Sequence, residues 1–175
     1  MEMQYIVETS TAWLVVSIVL MTISVVTMFL PRIPSSIIAY MALWCARWSN
    51  FTPFSGKTMI FWGAAVVIVT INQYLLPSYI RFSRRGLGYI CGGALVGMFL
   101  GLILYRPATV IGASILGALL GAVAYSRTTM GKVLEFPTSK FFNYLGAKGI
   151  PAVITASMVG IILAGLIVRN LIINP

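Results

Sequence analysis

The sequence predicts an all-α integral membrane protein in which five to six transmembrane helices form one bundle. Its 175 residues are 59% hydrophobic and only 9% charged, whereas a soluble domain is about half apolar and about a quarter charged. The apolar residues also fall in long stretches without charge. A helix needs about 20 such residues to cross a bilayer core about 30 Å thick. We expect a single transmembrane domain that covers residues 1–175.

Five stretches have the length and composition of membrane-crossing helices. None of them contains a charged residue, and each is bounded by polar residues, proline or glycine. They cover residues 12–30, 58–76, 86–105, 108–125 and 151–168. The bundle is therefore predicted to contain at least these five helices.

A sixth stretch, residues 33–48, is shorter. Its apolar part would rise only about 21 Å as a helix. It follows the sequence Pro31-Arg32-Ile33-Pro34, whose prolines predict a tight turn, and Pro34 suits the first turn of a new helix. Two interpretations stay open: a short second transmembrane helix that thins the bilayer, or a re-entrant segment buried against its neighbours.

The basic residues predict the orientation in a bacterial inner membrane. With six crossings and the N-terminus outside, eight basic residues lie inside and four outside; with a re-entrant segment the ratio is seven to five. We prefer six crossings, and both alternatives place residues 78–86 and 126–150 in the cytoplasm. The second of these loops either lies at the headgroup level or is an early start of the last helix, with Pro151 as a kink. The net charge of +9 indicates contact with membrane lipids and not with nucleic acid.

Small residues at a spacing of four mark three of the helices. Residues four apart share one helix face, and small residues let helix backbones approach closely in a bilayer. We expect a glycine-zipper hairpin around the short turn at Pro107, and these packing positions: Gly93, Gly97 and Gly101; Ala113, Gly117 and Gly121; and Ala156, Gly160 and Ala164.

Few residues could carry chemistry. The chain has no His and no Asp, and none of its three Glu lies in a predicted crossing, so we expect no catalytic residue, metal or cofactor. Asn72 and Gln73 are the candidates for a polar path through the membrane. The leading interpretation is a non-enzymatic scaffold or subunit of a membrane assembly, formed with copies of itself or with another membrane protein. The alternative is a small channel or facilitator with a path near Asn72 and Gln73.

The order of these motifs resembles a family of small bacterial membrane proteins catalogued as domain of unknown function 456. The resemblance covers residues 12–168 and includes the Pro31–Pro34 turn and the glycines on both sides of Pro107. It also includes Asn72 and Pro77, although the family typically has Asp in place of Asn72. Further departures are Thr109 and Ala113 where the family has glycine, and Ala122 where it often has Glu. The resemblance implies a fold and a membrane location but no activity.

Overall fold

The computed structural model describes residues 2–50, 54–75, 84–104, 106–128 and 138–173, and all regular structure in these ranges is helical. The helices are α1 (Glu2–Met28), α2 (Ser35–Trp48), α3 (Gly56–Leu75), α4 (Leu87–Leu102), α5 (Pro107–Ser126) and α6 (Ser139–Ile173). Leu76, Pro77 and Tyr105 lie outside the described residues, as do residues 78–83 and 129–137 of the two predicted cytoplasmic loops.

Helix α2 runs back along α1 to the end of the bundle where α1 begins. The Ser17 hydroxyl in the middle of α1 donates a hydrogen bond to the carbonyl of Ala42, at 2.9 Å. Further along, the rings of Trp13 and Trp48 meet with their centroids 5.0 Å apart. A re-entrant segment would return to the end it started from, so this course favours the short-helix interpretation.

The other helices continue to alternate in direction. In α3, the Met59 carbonyl accepts a hydrogen bond from the Tyr40 hydroxyl at 3.2 Å. Helix α6 is parallel to α2: the hydroxyls of Ser35 and Thr155 are 3.0 Å apart, and Arg169 donates to the carbonyl of Asn50 at 3.1 Å. All six helices therefore connect two ends. The basic end, where α1, α3 and α5 finish, carries Arg32, Arg84, Arg85, Arg127, Lys140 and Lys148; the opposite end carries Arg47, Lys57, Arg106 and Arg169.

Four helical segments are long and apolar enough to cross a membrane: Thr9–Met28, Gly56–Leu75, Pro107–Ser126 and Ser139–Arg169. Large apolar side chains cover their outer surface; Ile60, for example, is 75% exposed and Leu120 is 65% exposed. A surface of this kind suits contact with lipid tails and not with water. Because α2 has 14 residues and α4 has 16, the number of crossings stays a prediction.

The last helix starts well before the predicted crossing at residues 151–168. It begins at Ser139 and continues through Pro151 for 35 residues in all, a length of about 52 Å. Of the two interpretations of residues 126–150, the early start of the helix is therefore the one found, although residues 129–137 lie outside the described part. Since a bilayer core is about 30 Å thick, this helix is long enough to extend beyond it.

Small side chains fill the centre of the bundle. Ala39 and Ala42 of α2, Ala94 of α4 and Ala156 of α6 are all 0% exposed. Leu43, Met98 and Ile162 lie around them and are also almost completely buried. Helices can approach closely around such small residues. The close approach increases van der Waals contact, which drives helix association in a bilayer because the hydrophobic effect contributes little there.

Candidate functional site

Helices α4 and α5 form an antiparallel hairpin with the most extensive contact between any two described helices. Its turn is short because Arg106 is extended and Pro107 occupies the first turn of α5, where a missing N–H costs nothing. The Thr109 hydroxyl is within hydrogen-bonding distance of the carbonyl of Arg106, at 2.6 Å, and of the carbonyl of Gly101 on α4, at 3.1 Å. The two helices are therefore held together from the turn onward.

The hairpin helices meet backbone to backbone at their glycines. A Cβ atom built on Gly101 would lie 2.7 Å from the carbonyl oxygen of Thr109, and one on Gly97 would lie 2.7 Å from the carbonyl carbon of Ala113. One on Gly117 would lie 3.1 Å from the Cα of Gly97. Gly93 and Gly121 have backbone neighbours of the same kind. Because backbone cannot move aside as a side chain can, any larger residue would have to separate the helices.

The third row of small residues makes a different contact. Ala156 and Ala164 of α6 are buried. A Cβ on Gly160 would come within 2.7 Å of the Met98 side chain and would also meet Val110. Here the small residue gives room to side chains of both hairpin helices, and the atoms nearest to the built Cβ are side-chain atoms.

A second face of the hairpin carries glycines that the structure leaves uncovered. Apart from the chain neighbours and the adjacent backbone of the same helix, no described atom lies within 4 Å of a Cβ built on Gly88, Gly92 or Gly112. Gly88 and Gly92 are four residues apart on α4, so they share a face. This pair is not among the predicted packing positions, although its spacing is visible in the sequence, because the longer row at Gly93, Gly97 and Gly101 already gives α4 a face of small residues.

A cavity of about 220 Å³ opens at the basic end of the bundle. It lies where α1 and α3 end and where α2 and α4 begin, beside the middle of α6. Its polar lining consists of Arg32, Ser35, Thr70, Gln73 and Lys148. The apolar part of the lining includes Met28, Leu30, Ile33, Tyr74, Leu87 and Cys91, together with Pro31 and Pro34 of the predicted turn. The cavity is thus a mixed polar and apolar site with two basic side chains.

The predicted polar pair is divided by the structure. Gln73 lines the cavity, but Asn72 is exposed on the outside of α3 and is not part of the cavity lining. Thr70 lines the cavity too, yet its hydroxyl donates to the Val66 carbonyl of its own helix at 2.7 Å. The polar character of the cavity therefore depends mainly on Gln73, Lys148 and Arg32.

Lys148 is a site residue that the sequence-based interpretation does not include, because there it is one of several loop charges that orient the chain. The structure places it inside α6 and leaves only 6% of it exposed. A signal was present in the sequence: Lys148 precedes the buried residues Ala152, Thr155 and Ala156 by four, seven and eight positions, which is the spacing of one helix face.

The fold and the apolar surface are those of a helical membrane protein, in which four helical segments are long and apolar enough to span a membrane. No family model matches the chain, and comparisons with curated proteins and with solved structures found no match. The resemblance to domain of unknown function 456 therefore stays a prediction.

Proposed function

We propose that this chain is a non-enzymatic structural subunit of a membrane assembly in the bacterial inner membrane. The observation that carries the proposal is that α4 has two glycine faces. One face, with Gly93 and Gly97, packs against α5; the other, with Gly88 and Gly92, meets no described atom within 4 Å of a built Cβ. Small residues four apart on a lipid-facing surface are a common interface between transmembrane helices. The open face of α4 therefore suits another helix, from a second copy or from a different membrane protein.

The packed interior supports a structural role over conduction. The cavity reaches Ser35 of α2 and Ala152 of α6. One helical turn farther from the basic end, Ala39 of α2 and Ala156 of α6 are 0% exposed. A solute that entered the cavity would meet this closed layer before it reached the opposite end.

The alternative, a small channel or facilitator, is supported by the cavity itself. Gln73 and the two basic residues give one end of the bundle a polar entrance, as a solute path would need. To conduct, the bundle would have to separate α2 from α6 at the hydrogen-bonded pair Ser35 and Thr155. A static structural subunit needs no such opening.

Flux across liposomes distinguishes the two functions. We expect liposomes that contain the full-length protein to pass protons, potassium and chloride no faster than empty liposomes between about pH 5 and 8, the range in which histidines and shifted carboxylates titrate. A flux that saturates and disappears in Gln73→Leu would contradict the structural proposal and establish the channel. The variant Asn72→Leu, which removes the neighbouring amide that is exposed on the outside of α3 and does not line the cavity, is the matched control.

A further inference from the structure

We propose that the cavity at the basic end of the bundle binds the phosphate of an anionic phospholipid headgroup. This inference is independent of the proposed structural role, because it concerns a ligand and not an assembly. The starting observation is that Lys148 and Arg32 line the same cavity although they are far apart in sequence. None of the described residues of the lining is acidic.

The dipoles of the helices that begin or end at the cavity do not change the sign of its electrostatic field. Helices α2 and α4 begin there, and neither has a side-chain hydrogen bond that caps its first turn. Each N-terminus contributes a partial charge of about +0.5, and the ends of α1 and α3 contribute about −0.5 each. These four contributions cancel, so the basic side chains of the lining set the sign of the field. At the same time the first turn of α2 has no side-chain cap, so its N–H at Ser35 supplies a hydrogen-bond donor of the kind that phosphate oxygens accept.

The position of the two basic residues suits a headgroup. Lys148 is buried at the inner wall, with 6% of its surface exposed, while Arg32 is exposed at the rim. A buried lysine can act as a point charge on a phosphate, and an arginine can add a bidentate hydrogen bond. Basic pockets between transmembrane helices at the cytoplasmic side are a known form of anionic lipid site.

The rim of the cavity favours a lipid over free phosphate, although the two share the same anionic chemistry. Leu30, Ile33 and Tyr74 line the cavity and are 39%, 44% and 73% exposed, respectively. Free phosphate would leave these apolar side chains exposed to water, whereas the glycerol and acyl chains of a lipid would cover them. An amphipathic ligand therefore matches both parts of the lining.

Native mass spectrometry of the full chain in detergent, titrated with dioleoylphosphatidylglycerol or dioleoylphosphatidylcholine, tests this site. We expect the phosphatidylglycerol to bind more tightly than the phosphatidylcholine, and Lys148→Met to weaken its binding about tenfold or more, as the loss of a hydrogen bond to a charged group implies. Lys148→Arg should retain most of the affinity. The matched control is Lys140→Met, since Lys140 is an exposed lysine on the same helix, and it should change the affinity less than about twofold.

Three outcomes would overturn the proposal. Equal binding of the two lipids would exclude recognition of the anionic headgroup, and equal losses in Lys148→Met and Lys140→Met would indicate attraction by surface charge in general. Displacement of phosphatidylglycerol by excess inorganic phosphate, with the same dependence on Lys148, would assign the site to free phosphate. If Lys148→Met does not fold, Arg32→Gln takes its place, because Arg32 is exposed and its loss should also weaken phosphatidylglycerol binding.

Discussion

Replacing Gly97 or Gly117 by alanine is expected to lower the free energy of unfolding by about 1–3 kcal/mol, the usual cost of forcing an extra carbon into a packed interface. At Gly97 the new Cβ would meet the Ala113 backbone, and at Gly117 it would meet the backbone of Gly93. The helices would have to separate, and contacts along the whole hairpin would weaken.

The matched control for this stability experiment is Gly112→Ala, because it lies on the same helix as Gly117 but has no described atom within 4 Å of the added Cβ. Alanine favours a helix over glycine by about 1 kcal/mol, so this variant should be as stable as the wild type or more stable. Steric trapping in bicelles measures the free energy of unfolding of all three variants. Equal stabilities of Gly97→Ala, Gly117→Ala and Gly112→Ala would show that the hairpin does not depend on close backbone contact.

The second large effect concerns the orientation in the membrane. A cysteine at Ser139 should be unreactive to an impermeant maleimide in intact cells, whereas a cysteine at Ser55 should react. Both serines are exposed, but Ser139 is at the basic end of the bundle and Ser55 is at the opposite end, and basic ends stay in the cytoplasm.

The native thiols should not interfere with this labelling. Cys45 is 7% exposed and Cys91 is 1% exposed, so the wild-type chain provides a low background. Permeabilised cells, in which both introduced cysteines should react, provide the positive control. Labelling of Ser139→Cys and protection of Ser55→Cys in intact cells would show that the protein has the opposite orientation.

Local patterns predicted much of this fold. The turn between Pro31 and Pro34 and the start of α5 at Pro107 depend on the geometry of proline, which the sequence shows directly. The spacing of Gly93, Gly97 and Gly101 predicts a face of small residues on α4, and a Cβ built on each of them would lie against the backbone of α5. Such features depend on residues close together in the chain, and single-sequence reasoning can evaluate them.

Features that depend on distant residues were not predictable in the same way. Gln73 and Asn72 are adjacent, and only their positions around α3 relative to α1, α2 and α6 decide that the first lines the cavity. The cavity itself combines Arg32 with Lys148, which no local pattern connects. The early start of α6 at Ser139 was open for a related reason, because aromatic and basic residues suit both a surface segment and a helix end.

If the chain is a subunit of a membrane assembly that binds through the open face of α4, native mass spectrometry of complexes ejected from membrane vesicles will detect that assembly. For the wild type, we expect a complex of fixed stoichiometry that is heavier than the 19.0 kDa monomer. The double variant Gly88→Ile and Gly92→Ile should release the monomer without lowering its resistance to unfolding, since a Cβ built at either position meets no atom within 4 Å outside its own stretch of helix. A wild-type chain found only as a monomer with lipid, or a complex that persists in the double variant, would contradict the account.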